Sequence, residues 1–203
     1  MIGGPGRAVL VDVGGVLLGG GPDPLISWSA RLGISPRSLR DAVFGGCDDQ
    51  VLIGATGEDD WWQVIGGRLG AGADLLDGLR RDMSDGGTWD ADLLDCLRRL
   101  RGQARTALVS NCWPHMRARL AADGVAGIVD EIVLSCETGY AKPDPRIYAE
   151  ALRRLRVAPV DAIFIDDTAG HVAAAVSLGL AGHRHLTTSA TIAAIDGFVA
   201  ARR

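Results

Sequence analysis

The sequence predicts a doubly wound α/β fold with a mainly parallel sheet, interrupted after its first strand by an all-helical insertion. Three observations carry this expectation. Four short apolar runs, at 8–11, 107–109, 131–134 and 162–165, are continuous rather than alternating, as in strands buried on both faces. From Trp89 onward strand-like and helix-like segments take turns, the order of a parallel sheet with crossover helices. Between them, residues 19–86 carry helical patterns and no strong strand signal.

In chain order, the first strand covers residues 7–11 and stops at Asp12, where Gly14-Gly15 let the chain turn sharply. After the cluster Gly19-Gly20-Gly21, Pro24 opens one helix. Ser35-Pro36 reads as an N-cap followed by proline at the first helical position of another, ending near Gly45-Gly46. Residues 59–69 and 73–83 continue the helical pattern. Residues 90–100 form a helix with Leu93, Leu94, Leu97 and Leu100 on one stripe. Next come a strand at 105–109, a helix at 115–122, a strand region at 128–134, a helix at 144–155 and a strand at 162–165. The helix at 170–178 carries Ala173, Ala174 and Ala175, narrow enough to lie close on a sheet. A short strand near 182–186 and a helix at 189–200 complete the chain. The expected domains are an α/β core of residues 1–18 and 87–203 and a helical cap of residues 19–86. The cap leaves from the loop after the first strand, so it is expected as a lid over the strand ends, excluding bulk water and setting substrate size.

Composition narrows the partners. A chain of 203 residues with 47% apolar content can bury a full core. A formal net charge of -4, with arginines interspersed among acids, gives no basic stripe to follow a nucleic-acid backbone. No apolar run approaches the roughly 20 residues that cross a bilayer, and the N-terminus lacks the basic-then-apolar layout of a secretory signal. A cytoplasmic location with no nucleic-acid or membrane partner is expected. Apolar residues exposed on the lid helices would leave room for a homodimer of no fixed symmetry. Cys47, Cys96, Cys112 and Cys136 have neither CxxC spacing nor a histidine at a zinc-site interval, and read as free thiols. Cys112 falls near the expected site, with His115 a weak candidate as its base.

The chemistry lies where the strands end. In an open parallel sheet, ligands bind outside the carboxyl ends of the strands. Here those ends carry Asp12, Ser110-Asn111, the segment Gly-Tyr-Ala-Lys-Pro-Asp-Pro at 139–145, and Asp166-Asp167. Lys142 is the single lysine of a chain with twenty arginines, and Pro143 and Pro145 stiffen its surroundings. Its compact charge can neutralise an attacking group and a transferring anion together. Asp12 can act as metal ligand, nucleophile or both, or as an acid capping a tight turn, with the amides of Gly14 and Gly15 exposed beside it. Adjacent carboxylates at Asp166 and Asp167 repel each other unless a cation neutralises them, and Mg²⁺ is the economical one. Ser110 and Asn111 supply a hydroxyl and an amide for phosphoryl or carboxylate oxygens, with the helix starting at Pro114 adding a partial positive field, or else serve as an N-cap.

Taken together, Asp12-Val-Gly-Gly-Val, Ser110-Asn111, Lys142-Pro-Asp-Pro with Tyr148, and Phe164-Ile-Asp-Asp-Thr with His171 resemble the haloacid dehalogenase (HAD) superfamily, in family order and across essentially the whole chain. The insertion resembles the helical cap that some members carry after the first strand of their Rossmann-like core. The resemblance implies Mg²⁺-dependent hydrolysis of a small phosphorylated metabolite. Asp12 would attack phosphorus and form an aspartyl-phosphate, with Ser110, Asn111, Lys142 and the Gly14-Gly15 turn around the transferring oxygens. Mg²⁺ would be held by Asp12, the Gly14 carbonyl, Asp166 and Asp167. Many phosphatases of the family carry a second aspartate two residues after the nucleophile. Gly14 stands there in this chain, which implies weakened catalysis, and a catalytically weak or silent ligand-binding or partner-binding protein is one alternative. The other is a 2-haloacid dehalogenase-like hydrolase, to which the acids at 166 and 167 are unsuited because that reaction needs no metal. His171 is expected to orient Asp167 or Lys142, and Trp113 to line a leaving-group pocket. Of Trp61-Trp62 at most one faces the cleft, Met83 and Met116 are packing residues, and His183 and His185 lie on the surface.

Overall fold

The computed structural model describes residues 6–45 and 48–201. The expected helix end at Gly46 and the thiol of Cys47 lie outside the described residues. In chain order the elements are β1 (Ala8–Val11), β2 (Leu18–Gly19), α1 (Pro24–Leu32), α2 (Pro36–Phe44), α3 (Asp48–Leu52), α4 (Glu58–Leu69), α5 (Ala73–Asp85) and β3 (Thr88–Trp89). They continue with α6 (Ala91–Arg99), β4 (Arg105–Ser110), α7 (His115–Ala122), β5 (Glu131–Leu134), α8 (Ser135–Thr138), α9 (Pro145–Leu155), β6 (Ala162–Asp166), α10 (Ala169–Ser177), β7 (Ala181–Arg184) and α11 (Thr188–Ala200).

Five strands form one sheet in the order β5-β4-β1-β6-β7, every pair parallel. β1 lies at the centre, with Val11 opposite Leu108 of β4 on one side and Ile165 of β6 on the other. Successive side chains on a strand point to opposite faces, and the core divides accordingly. Val9, Val11, Leu108, Ile163 and Ile165 pack against α6, α7 and α11. Ala8, Leu10, Ala107, Val109 and Phe164 pack against α9 and α10, where Tyr148 meets Phe164 edge-on at 5.0 Å between ring centroids. The sheet is thus covered on both faces, the condition the continuous apolar runs predict. The chain builds outward through β4 and β5, then returns across β1 to β6. That reversal opens the crevice at the strand ends.

The helices α1–α5 stand between β2 and β3, an antiparallel ribbon that pairs Leu18 with Trp89 and Gly19 with Thr88. The ribbon brings the outgoing and returning chains together beyond the end of β1, where Asp90 N donates to Leu17 O at 2.8 Å. Two-residue strands are too short for hydrophobic periodicity to register. The helical segment has its own apolar cluster, in which Trp28, Leu39, Val43, Trp61, Trp62 and Ile65 are buried. Capping follows the sequence: Asp23 accepts from Leu25 N at 2.9 Å ahead of Pro24, and Ser35 from Ser38 N at 3.0 Å ahead of Pro36. No helix among the described residues is long and apolar enough to cross a membrane.

Leu108 is fully buried in the second strand of the sheet. Leu108→Ala is expected to lower the unfolding free energy by about 2–5 kcal/mol, the range for such core truncations. Urea denaturation measures this, and an unchanged midpoint would contradict the assignment of Leu108 to the core.

Candidate active site

Two neighbouring strands deliver two carboxylates to one place. Asp12 follows β1 directly, and its amide still bonds Ile165 O at 2.9 Å, so β1 and β6 remain paired up to the residue that carries the acid. Asp166 is the last residue of β6 and fully buried. Lys142 enters from the loop between α8 and α9. Its Nζ stands 2.8 Å from Asp12 Oδ1 and 2.7 Å from Asp166 Oδ2, with the lysine only 4% exposed. An ammonium out of water costs several kcal/mol unless paired and hydrogen-bonded. Two carboxylates supply that pairing, and the one lysine of the sequence is fixed between them.

Asp166 is held from several sides. Its Oδ1 accepts from Thr168 N at 2.8 Å, and both oxygens lie 3.2 Å from His171 Nδ1. Tyr148 Oη donates to His171 O at 2.9 Å and fixes the start of α10 against α9. Burial opposes ionisation of Asp166, but His171, Lys142 and the Thr168 amide outweigh it and hold the carboxyl well below its usual range. His171 therefore positions Asp166, where the sequence reading expected Asp167 or Lys142. It lies one turn into α10, and periodicity alone does not tell which acid that turn faces.

Asp12 has the opposite balance. Burial pushes its carboxyl up, Lys142 pulls it down, the Asp166 charge pushes it up again, and the result is a rise to about 6. Val13 N donates to its Oδ1 at 2.7 Å, so that oxygen has two donors. No described residue donates to Oδ2. Asp167 is exposed and accepts from Thr168 Oγ1 at 3.2 Å. It packs on Gly15, whose φ is +74° and where a Cβ would stand 2.3 Å from Asp167 Oδ2. Glycine is required there by both backbone and space, but its amide, expected around the transferring oxygens, instead donates to Leu18 O at 2.9 Å and closes the turn. Gly14 is exposed in the same turn, with open space where a side chain would stand.

The cluster fits a metal ion. Oxygens of Asp12, Asp166 and Asp167 lie within 4.8 Å of one another. They are hard donors, and one ammonium does not balance three carboxylates, which matches a hard divalent cation.

The remaining expected residues are placed as follows. Ser110 ends β4, is buried, and its hydroxyl has no hydrogen-bond partner among the described residues. Asn111 grips the Lys142 peptide from both sides, donating from Nδ2 to Lys142 O at 2.9 Å and accepting from Lys142 N at 2.7 Å. Its amide thus sets the lysine rather than facing outward. Trp113 packs into the helical segment's apolar cluster, edge-on to Trp62 at 5.8 Å, and with Asn111 and Trp62 lines a cavity of about 210 Å³. Trp61 and Trp62 are both buried there, and Met83 and Met116 reach the same cavity. His183 and His185 are half-buried rather than surface residues, sharing the buried Thr191 hydroxyl at 3.2 and 2.8 Å. Cys96 and Cys112 are buried free thiols, and Cys136 is a half-buried one.

One residue has a role with no local signal in the sequence. Glu58 opens α4, is 7% exposed, and caps α7 across the boundary between cluster and sheet. Its Oε2 accepts from His115 N at 2.9 Å, and Oε1 lies 3.1 Å from His115 Nδ1 and 3.5 Å from Arg80. Burial works against its charge, but the His115 bonds lower its pKa. The field of the α7 N-terminus, expected to reach a phosphoryl group, is thus answered by Glu58. His115 pairs with that acid and not with Cys112. Acids in a first helical turn read simply as partners of that helix's own dipole. Nothing local names a partner so far along the chain.

The chain matches the haloacid dehalogenase-like hydrolases over residues 7–179 and belongs to that family. A segment of 51 residues is 47% identical to mouse acyl-CoA dehydrogenase family member 10 and covers 25% of this chain but 5% of that protein, a small part of its length. A predicted HAD-like hydrolase of Porphyromonas gingivalis superposes with a TM-score of 0.79 at 22% identity, covering 97% of this chain and 98% of its own. A HAD-family enzyme of Bacteroides thetaiotaomicron, solved with magnesium and inorganic phosphate, superposes with a TM-score of 0.76 at 20% identity, covering 90% and 95%.

The weakening of the enzyme expected from Gly14 is corrected by this geometry. The aspartate at the nucleophile position, Asp12, is present, ion-paired to Lys142 and clustered with Asp166 and Asp167, as an intact catalytic aspartate requires.

The Asp12 titration follows from these contacts. In cation-free protein its carboxyl should be protonated below a pKa of about 6 and ionised above it. Lys142→Met removes the charge that pulls this value down, so the pKa should rise further. Carboxyl ¹³C shifts followed against pH measure both, and an unchanged or lower value in the variant would contradict the assigned balance.

Proposed function

We propose that the chain is a Mg²⁺-dependent phosphatase of small phosphorylated metabolites, with Asp12 as nucleophile. The observation that carries this reading is Lys142 Nζ held between Asp12 and Asp166 inside a cluster of three carboxylates. Family membership and the magnesium and phosphate of the Bacteroides relative support it.

Asp12, the Gly14 carbonyl, Asp166 and Asp167 would hold the ion, which when bound supplies positive charge shared by the nucleophile and the phosphoryl oxygens. The Asp12 oxygen without a protein donor attacks phosphorus. The bond from phosphorus to the leaving oxygen breaks, giving an aspartyl-phosphate and an alkoxide that takes a proton from solvent and departs as the alcohol. Water then attacks phosphorus and gives up a proton to solvent as the bond from phosphorus to the Asp12 oxygen breaks, releasing phosphate and regenerating the Asp12 carboxylate. Lys142 lies close enough to lower the repulsion between that carboxylate and an incoming phosphate, and Asn111 keeps its backbone in place. The Ser110 hydroxyl and the Gly14 amide donate to phosphoryl oxygens, a stabilisation that grows as charge redistributes in transfer. His171 keeps Asp166 ionised and oriented.

In this reading residues 19–86 act as a cap over the core formed by 1–18 and 87–203, with the cavity beside Asn111 and Trp113 facing the leaving group. The protein acts in the cytoplasm without nucleic-acid or membrane partners, and Ile26, Val64 and Leu75, exposed on the cap helices, offer a face for a homodimer. A 2-haloacid dehalogenase would have no use for the three-carboxylate cluster.

Phosphate release from a phosphomonoester panel is expected with Mg²⁺ and not with chelator. It should be abolished in Asp12→Asn, and kcat should fall roughly 10²–10³-fold in Lys142→Ala. Halide release from 2-haloacids with no phosphate release would overturn the proposal.

A further inference from the structure

A second pair of reactive groups lies beyond the ends of β4 and β5. Their pairing ends with Ser110 opposite Leu134. Two positions further along each segment stand Cys112, in the turn after Asn111, and Cys136, in α8. Cys112 N donates to Ser135 Oγ at 3.0 Å, and that hydroxyl points back to Cys112 O at 3.5 Å, so the two turns are tied together. Beyond those strand ends the side chains of Cys112 and Cys136 stand near enough to interact directly through their thiols, the approach that a disulfide requires. Both side chains pack into the same apolar cluster on one face of the sheet. Their access differs: Cys112 is buried and Cys136 half-buried.

We propose that Cys112 and Cys136 are a reversible redox modification site, closed to a disulfide by hydrogen peroxide and reopened by thiols. The thiol hydrogen bond from Cys112 lowers the pKa of Cys136 although burial and Glu137 oppose it, and Arg117 adds a smaller pull in the same direction. The same bond, with burial, raises that of Cys112. Cys136 is thus the attacking sulfur and Cys112 the resolving one. The Cys136 thiolate attacks one peroxide oxygen, the O–O bond breaks, and the departing hydroxide takes a proton to leave as water. The Cys136 sulfenic acid is then attacked by Cys112 sulfur, and its hydroxyl leaves with the Cys112 proton as a second water. Two thiols and one peroxide become one disulfide and two waters, the two electrons having passed from sulfur to oxygen. Transient disulfides of this kind are the sort found in reducing compartments.

The link would bear on the site next to it. Asn111, the residue before Cys112, holds both polar groups of the Lys142 peptide. A disulfide that draws Cys112 toward α8 strains that grip and moves the lysine relative to Asp12. This consequence rests on the proposed phosphatase activity, whereas formation of the link does not.

The test treats full-length reduced protein with hydrogen peroxide, blocks remaining thiols with an alkylating agent, and maps peptides without reductant. The expected product is one cross-linked pair containing Cys112 and Cys136, lighter by two hydrogens, with Cys96 still alkylated and the link lost on adding dithiothreitol. Cys136→Ser should give no link at Cys112. Where phosphatase turnover is measured, it should fall several-fold on oxidation and recover with dithiothreitol, while Cys136→Ser keeps its turnover through the same treatment. Both thiols remaining free, being over-oxidised without a link, or joining Cys47 or Cys96 instead would overturn the proposal. A mapped link in a protein without phosphatase activity would leave it standing and count against the functional reading alone.

Discussion

The site depends on one ammonium shared by two carboxylates: Lys142 between Asp12 and Asp166. Each member is buried, and none could remain there alone, because an unpaired charge away from water carries a penalty of several kcal/mol. The arrangement forces three separate segments to end at one point. β1 and β6 do so because they are neighbours in a parallel sheet, paired from Ala8 with Ala162 to Val11 with Ile165. The Lys142 loop does so because Asn111, at the end of the next strand, binds its peptide on both sides. The fold supplies the address, and the charges fix the final position.

The two acids respond differently to this shared cation. Asp166 collects His171, the Thr168 amide and Lys142, and stays ionised despite burial. Asp12 receives fewer donors and feels the charge of Asp166, and its carboxyl rises to about 6. Pairs of acids whose surroundings push their pKa values apart are a common basis for dividing chemical roles. Here the division separates a fixed anion suited to anchoring a cation from a carboxylate that gains most when positive charge arrives. Among the contacts that join the helical segment to this machinery, two differ in kind: Trp113 inserted into its apolar cluster and Glu58 capping α7. A shift of the helices would therefore disturb the residues that follow Asn111.

Much of this could be read from the residues. Strands buried on both faces leave continuous apolar runs, and the sheet was legible for that reason, as were the acids and the lone lysine at its ends. Helix starts at Pro24 and Pro36 were legible because Asp23 and Ser35 cap locally. What escaped was set by tertiary contact. The β2–β3 ribbon is too short to have a period. The acid faced by His171, the grip of Asn111 on Lys142 and the reach of Glu58 to His115 each depend on segments far apart in the chain. The doubt attached to Gly14 came from one position judged by itself, whereas the carboxylate cluster around Asp12 is a property of three strand ends together.

The most direct measurement is a crystal structure of the protein with magnesium and beryllium fluoride. The account predicts the beryllium fluoride on Asp12, one cation touching Asp12 and Asp166, and the Lys142 ammonium within hydrogen-bond distance of the fluorides or of Asp12. A cation bound away from Asp166, or beryllium fluoride on a residue other than Asp12, would contradict it.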